Sequence, residues 1–282
     1  MLKRFRIVGL CLVAVFALSA VVAATASAHE PTWWYCAKGT AAKEFTDHTC
    51  ATEKTGAGWI EKELVAGEKL PFVSKMASTS LHKLKASGNT IECTAEKDKG
   101  ELIGGVPGKD TVTEKVWEKC VFTGFTGLVC EVEGGNITMA TPVNTTLRWK
   151  GSTGTAALDQ FTPTAAGEAF ATFKVTGRNC PEADKGTYTV KGEALGEVLP
   201  VLALTARVVT KGELFFPCTV LTKYWTGDPP NRVEHTLAHK LEMKEPSGTV
   251  QVVEEFCERD EVELSGADAG WGFGVFPEGK VL

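Results

Sequence analysis

Residues 90–117, TIECTAEKDKGELIGGVPGKDTVTEKVW, decide the fold class of this chain. Apolar and polar residues alternate over residues 90–95 and again over residues 111–117, and a period of two is typical of a half-buried β-strand. The glycines at 104–105 lie between these runs and are typical of a hairpin turn. The stretch therefore predicts β-strands joined by tight turns.

Similar short runs, rich in β-branched residues and separated by glycine, follow along the chain. They lie at residues 100–104, 128–132, 136–140, 145–149, 169–176, 187–190, 197–206, 213–216, 219–221 and 250–256. The sequence has no long helix-period segment with capping residues. We therefore predict an all-β protein, with an antiparallel sandwich or barrel-like domain or domains stapled by disulfides after an N-terminal signal helix.

Changes in composition divide the chain into four segments. Residues 1–28 form a predicted signal peptide, residues 29–80 an N-terminal cysteine-paired segment, residues 81–206 a β domain and residues 207–282 a C-terminal β region. The sequence pattern leaves open whether the two β regions share one core.

The first segment has the three parts of an export signal. Residues 3–6 are rich in basic side chains, residues 7–28 carry no charge, and Ala26-Ser27-Ala28 matches the small-x-small cleavage pattern. Cleavage after Ala28 makes His29 the first residue of the mature protein. The alternative is that the apolar stretch stays as a membrane anchor. Because no later stretch is apolar for long enough to span a bilayer, we predict an extracellular protein, secreted or associated with the cell surface.

The charge balance excludes some partners. The whole chain has a formal net charge of −5, and loss of the basic signal makes the mature chain more negative. Nucleic acid and anionic lipid are therefore not predicted as general partners.

Eight of the nine cysteines follow the signal: Cys36, Cys50, Cys93, Cys120, Cys130, Cys180, Cys218 and Cys257. An even number of cysteines in an exported chain predicts four disulfides. Because no pair has CxxC spacing and no Cys/His cluster has zinc-finger intervals, structural zinc is not predicted. Eight cysteines permit many connectivities, and proximity in the sequence favours Cys36–Cys50, Cys93–Cys180, Cys120–Cys130 and Cys218–Cys257.

The middle of the chain, from about Leu81 to Val198, resembles a group of uncharacterised exported proteins that are abundant in high-GC soil actinobacteria. The similar pieces are residues 84–93, 100–104, 120–122, 130–132, 135–138, 170–177, Cys180 and 186–192. The resemblance implies export, β structure and four paired cysteines in this part of the chain. It implies no activity, ligand or catalytic residue.

His29 is the sharpest candidate for metal chemistry. A free N-terminal histidine offers its α-amino group and its imidazole to Cu(II), and one further histidine would complete a three-nitrogen site. The further histidine would be His48, His82, His235 or His239. Copper-dependent polysaccharide monooxygenases and copper carriers are likewise exported and β-rich. The alternative is that His29 is an exposed residue of a frayed terminus.

Two further charged motifs favour structural roles. His235 and His239 have HxxxH spacing, but Thr236 stands where a zinc protease has its glutamate, and strand positions near solvent fit better. The acidic run around Cys257 lacks calcium-loop spacing, and we interpret it as a solvated strand face. This run comprises Glu254, Glu255, Glu258, Asp260, Glu261 and Glu263.

Trp33, Trp34 and Tyr35 stand beside Cys36 and allow two interpretations. Their flat rings suit stacking on sugars, and they equally suit packing against a nearby disulfide over a thin core. We favour packing.

No GxSxG elbow, phosphate-binding loop or other reactive set is present in the sequence. We therefore predict an exported, non-catalytic β protein with a structural or binding role at the cell exterior, with no cofactor. Its candidate partners are the cell wall and glycans. The alternative is a copper-dependent oxidase or copper carrier that uses His29.

Overall fold

The computed structural model describes residues 30–40, 44–48, 50, 52–78, 80–154, 156–165, 167–199, 212–265 and 271–274. The predicted signal peptide and His29 lie outside the described residues. Within them the chain forms twenty β-strands and two short 3-10 helices, so the all-β prediction is confirmed. None of the helices among these residues has the length and apolar character needed to cross a membrane.

The 3-10 helices span Glu133–Gly135 and Glu182–Asp184. The strands are β1 (Thr32–Lys38), β2 (Trp59–Glu63), β3 (Lys69–Met76), β4 (His82–Ala86), β5 (Asn89–Ile103), β6 (Lys109–Thr123), β7 (Val129–Val132), β8 (Ile137–Thr138), β9 (Val143–Trp149), β10 (Ala157–Pro163), β11 (Ala169–Thr176), β12 (Gly186–Lys191), β13 (Ala194–Leu199), β14 (Gly212–Phe216), β15 (Lys223–Thr226), β16 (Val233–Thr236), β17 (Glu242–Lys244), β18 (Val250–Val252), β19 (Glu255–Leu264) and β20 (Trp271–Gly274).

Eight antiparallel strands close into a barrel in the order β3, β5, β6, β9, β10, β13, β14, β19 and back to β3. Strand β13 belongs to the predicted segment 81–206 and strand β14 to the predicted segment 207–282, and the two strands pair. Strands of both β regions therefore surround one barrel core. An eight-stranded barrel has an interior just wide enough for side chains or one small ligand.

The long β5–β6 hairpin extends beyond the barrel and carries the remaining strands. Each strand has 15 residues; one half lies in the barrel and the other half pairs with β4 or β7. From β7 the sheet continues through β11, β12, β17 and β18. The Glu254 amide then donates to the Lys85 carbonyl, which brings the end of this outer sheet back to β4. The outer strands therefore curl around a second core.

Gly100 is required where the hairpin bends. The pairing of β5 with β6 shifts register between Lys99 and Gly100. A Cβ atom at Gly100 would collide with the Thr111 carbonyl oxygen and the Phe72 ring. A glycine is therefore the only residue that lets the two strands and Phe72 approach this closely.

A three-stranded sheet, β2–β1–β20, lies against one end of the barrel. Trp33 on β1 is buried in the barrel core, where its indole Nε1 donates to the Lys109 carbonyl at 2.7 Å. The Leu64 amide donates to the Trp33 carbonyl, and the buried Leu64 side chain joins the same core. The N-terminal segment therefore closes this end of the barrel.

The eight cysteines form four disulfides, as predicted, but two of the four predicted pairs are wrong. Cys36–Cys50 and Cys218–Cys257 are present. In place of Cys93–Cys180 and Cys120–Cys130, the bonds are Cys93–Cys120 and Cys130–Cys180. The reason is strand register: Cys93 and Cys120 are directly opposite each other in the β5–β6 ladder. Strand β7, which carries Cys130, pairs with the end of β11, just before Cys180.

One predicted strand is absent. Residues 219–221 lie in a loop that begins at Pro217, between β14 and β15. The predicted run 250–256 is divided between β18 and β19, and residues 200–206 of the predicted run 197–206 lie outside the described residues. The predicted run 169–176 coincides with β11.

The two cores contain different parts of the chain. The barrel core lies between strands β3, β5, β6, β9, β10, β13, β14 and β19, and the outer core lies between β4, β7, β11, β12, β17 and the far halves of β5 and β6. Phe170 and Phe256 pack against both cores. Several buried charged side chains accompany these two cores, and they form the candidate site.

Candidate functional site

Six ionisable side chains meet inside the molecule, and we refer to them as the lysine–carboxylate cluster. Its members are His82 on β4, Glu96 and Asp98 on β5, Lys115 on β6, and Glu258 and Asp260 on β19. Their side chains are at most 8% exposed. Residues two positions apart share one face of a strand, which is why Glu96 accompanies Asp98 and Glu258 accompanies Asp260.

The Lys115 ammonium is the centre of the cluster. Its Nζ lies 3.1 Å from Glu96 Oε1, 3.1 Å from Asp98 Oδ2, 2.6 Å from Glu258 Oε1 and 2.9 Å from Asp260 Oδ2. An ammonium has three protons, so four carboxyl groups already exceed its capacity to donate. Two of these contacts are hydrogen bonds, which Lys115 donates to Asp98 Oδ2 and Asp260 Oδ2.

His82 and Trp117 complete the surroundings of Glu258 and Asp260. The imidazole Nε2 of His82 lies 2.9 Å from Asp260 Oδ1, and its Nδ1 lies 3.8 Å from Glu258 Oε2. The Trp117 indole Nε1 donates to Glu258 Oε2 at 3.0 Å. Both carboxyl groups on β19 are therefore contacted from β4 as well as from β6.

Burial and charge move the pKa values of the cluster in opposite directions. Burial raises the pKa of Glu96 to about 10 and that of Glu258 to about 7, although the nearby Lys115 opposes both shifts. Burial also acts to raise the pKa of Asp260, but Lys115 and His82 together hold it below its ordinary value. Asp260 is therefore ionised at neutral pH, whereas Glu96 retains its proton.

The carboxyl groups raise the pKa of both basic groups of the cluster. Burial acts to lower the pKa of Lys115, but the carboxyl groups led by Asp260 and Glu258 raise it well above its ordinary value. Burial likewise acts to lower the pKa of His82, and Glu258 and Asp260 outweigh it. A protonated lysine is not a nucleophile, so Lys115 is unsuited to covalent catalysis.

A cavity of about 90 Å³ adjoins the cluster. Its polar residues include His82, Asp98, Lys115 and Glu258, and the rest of its wall is almost entirely apolar. Aromatic and aliphatic side chains from both cores form that wall: Leu84, Ile91, Val112, Trp117, Ile137, Met139, Val143, Phe161, Phe170, Phe173, Val190, Phe216, Leu241 and Phe256. The cavity is thus an apolar chamber with one charged end.

The size of the cavity limits what it can contain. A cavity needs a volume of roughly 10–15 Å³ to hold one water molecule, and an apolar cavity of about 150 Å³ is known to take up benzene. A volume of about 90 Å³ suits a small organic molecule of a few heavy atoms. Several wall residues, among them Leu84, Trp117, Met139 and Phe170, are partly exposed, so this side of the cavity faces the surface.

A smaller cavity of about 40 Å³ lies on the other side of Asp98, towards Trp33. Asp110 and Asp159 line it, and both are buried. Burial raises the pKa of Asp159 to about 6, although the Asp110 hydrogen bond opposes this shift. Burial and the neighbouring Asp159 together raise the pKa of Asp110 well above its ordinary value. Asp98 is common to both cavities and links them.

The four histidines that were candidates for a metal site with His29 have different neighbours in the structure. His82 is buried in the cluster. His235 on β16 lies 2.8 Å from Thr226 Oγ1 and stacks on Tyr224, and His239 is exposed beyond the end of β16. His48 lies edge-on to Trp59. Two groups of described residues have the spacing of a metal site, His82–Glu258–Asp260 and Glu96–Asp98–Asp260, and neither includes His235 or His239.

The interpretation of the acidic run as a solvated face is wrong for two of its members. Glu258 and Asp260 point inward with Val262 and Leu264, whereas Arg259 is exposed. The alternation of β19 places every second residue in the barrel, and Lys115 and His82 offset the charge of the buried acids.

The aromatic cluster near the N-terminus is divided between core and surface. Trp33 is buried, as packing requires, but it packs in the barrel core, whereas Phe45 and Trp59 pack around the Cys36–Cys50 disulfide. Trp34 and Tyr35 are partly exposed, and the Tyr35 ring lies under the Lys62 ammonium at 5.6 Å.

No family model, curated protein or solved structure matches this chain. Its class is therefore defined by its own architecture, which is a disulfide-linked all-β barrel with a charged cluster and an apolar cavity inside.

Proposed function

We propose that this protein is an exported, non-catalytic binding protein that takes up a small, largely apolar molecule in the cavity beside the lysine–carboxylate cluster. The observation that carries the proposal is the composition of the cavity wall, which is apolar except at one end. Small-molecule sites in proteins have this character: mainly hydrophobic and aromatic walls with a few polar groups that orient the ligand.

The surroundings of the polar groups favour binding over catalysis. Lys115 is protonated and contacted by four carboxyl groups, and His82 lies between Glu258 and Asp260. A general base or a nucleophile needs a free lone pair directed at the substrate. Lys115 and Asp260 keep their charges at neutral pH, and fixed charge orients a ligand.

Filling the cavity tests the proposal. Ala194 lines the cavity and Ala157 does not, although both are buried in the barrel core. We expect Ala194→Leu to abolish binding of the four-carbon test ligands n-butylamine and 1-butanol, because the added side-chain atoms occupy the cavity. Titrations followed by ligand-observed NMR and by thermal melting measure this.

The matched control is Ala157→Leu, which adds the same volume to the same core. We expect it to cost about 1–3 kcal/mol of stability through overpacking, and to leave binding of both ligands unchanged. Equal binding by wild type and Ala194→Leu would contradict the proposed site.

The export part of the proposal has its own test. Four disulfides are consistent with an oxidising extracellular environment, and the resemblance over residues 81–198 favours the same compartment. We expect protein collected from culture medium to begin at His29 and to carry four disulfides when intact mass and non-reduced peptide maps are measured. A chain that retains residues 1–28 in the membrane fraction would contradict cleavage.

A further inference from the structure

We propose that the ligand of this cavity is an organic cation, a small amine whose ammonium group is received by Asp98 at the charged end. This inference rests on the proposed binding function and specifies the chemistry of the same site. Three independent features of the site support it: an unpartnered acceptor, the position of Lys115, and the apolar walls.

One buried acceptor at the charged end has no donor. Among the described residues, Asp98 Oδ1 is buried and accepts no hydrogen bond. The Asp98 side chain is only 4% exposed, and it lines both cavities. A buried acceptor without a donor costs free energy. A ligand with N–H donors removes this cost because it supplies the missing hydrogen bond.

The charge of the cluster selects the sign of the ligand. Glu96 retains its proton, but once Glu258 ionises, the three other carboxyl groups outnumber the two basic groups, Lys115 and His82, and the cluster is negative above neutral pH. A ligand carboxylate would add to this excess and would compete with four carboxyl groups for Lys115. A ligand ammonium would balance it.

The identity of the cation follows from Lys115 and from the walls. The Lys115 Nζ already occupies the position surrounded by four carboxylate oxygens, where a metal ion would otherwise be bound. The rest of the cavity presents apolar side chains, which cannot replace the water shell of a metal ion but do favour a hydrocarbon chain. An alkylamine combines both requirements.

A linked pH effect is expected. Glu258, whose pKa burial raises to about 7, lies near Lys115 and Trp117 of β6, His82 of β4, Glu96 of β5 and its β19 neighbour Asp260. An added positive charge favours the ionised form of Glu258. Binding of the amine therefore releases protons, and its affinity rises as the pH increases through neutrality.

Three ligands with the same four-carbon chain test the inference: n-butylamine, 1-butanol and sodium butyrate. We expect n-butylamine to bind at least about tenfold more tightly than 1-butanol, and butyrate to bind more weakly than either. Asp98→Asn should reduce affinity for the amine by about tenfold and leave affinity for the alcohol unchanged. Asp184→Asn, which removes a buried carboxylate that lines neither cavity, is the matched control and should change neither.

The outcomes separate this inference from the function on which it rests. Binding of 1-butanol or butyrate as tight as that of n-butylamine overturns the amine assignment and leaves the apolar binding site intact. Failure of all three ligands to bind overturns the binding function together with the assignment. A higher melting temperature with zinc chloride, but not with n-butylamine, assigns the cluster to a metal and overturns the inference.

Discussion

Replacing Lys115 with methionine is expected to lower the free energy of unfolding at neutral pH by about 3–5 kcal/mol, because it removes the charge that balances the buried carboxyl groups. The side chain is 8% exposed and contacts four carboxylates. Without the ammonium, the carboxyl groups must be protonated to remain buried. The unfolded chain would release these protons first as the pH rises, so the loss should be smallest in acid and grow towards neutral pH. Denaturant unfolding across that pH range measures it.

The control for this change is Lys97→Met on the neighbouring strand. Lys97 is 63% exposed and pairs with Glu118 at the surface. Surface ion pairs contribute about 0–1 kcal/mol, so this variant should remain close to wild type at every pH. A Lys115→Met protein as stable as the Lys97→Met protein would contradict the buried cluster.

Removing the Cys130–Cys180 disulfide by changing both cysteines to alanine is expected to cost about 4 kcal/mol of stability. The bond spans 50 residues, and a longer closed loop restricts the unfolded chain more strongly. Guanidinium unfolding of the double variant measures the loss.

The comparison variant removes Cys36–Cys50, which spans 14 residues and should cost about 3 kcal/mol. If removal of Cys36–Cys50 lowers stability more than removal of Cys130–Cys180, the dependence on loop length is contradicted. A peptide map that links Cys93 to Cys180 would contradict the connectivity itself, since the ladder places Cys93 opposite Cys120.

The fold class was predictable because local alternation is a direct consequence of strand geometry. The predicted run 169–176 coincides with β11, where Ala171, Phe173 and Val175 face inward and Thr172 and Lys174 face outward. The even number of cysteines predicted four disulfides for a similarly simple reason. Which strands become neighbours depends on long-range contacts. Separation in the sequence therefore could not predict how Cys93, Cys120, Cys130 and Cys180 are paired.

The candidate site was not predicted because different faces of the long strands point inward in their two halves. On β5 the buried residues are Ile91 and Cys93 in the outer half, and then Glu96, Asp98 and Leu102 towards the barrel. The alternation thus shifts by one position where the strand passes from one core to the other. A constant period of two assigns some of these residues to the wrong side.

The charged character of the site residues is a second reason why the site was not predicted. An acidic residue in a strand is usually solvated. Lys115 lies more than a hundred positions from Glu258 and Asp260, so no local pattern indicates that the three side chains meet. A period of two over residues 111–117 places Lys115 on the face opposite Val112, whereas both side chains are buried. Only the barrel closure brings β6 and β19 to the same interior.

A crystal structure of the mature protein with n-butylamine, at a pH above neutrality, tests the central claim most directly. The account predicts electron density inside the barrel, with the amine nitrogen within hydrogen-bond distance of Asp98 and the hydrocarbon chain among Val112, Phe161 and Phe173. Density for the amine only at the protein surface, with the cavity filled by side chains or water, would contradict it.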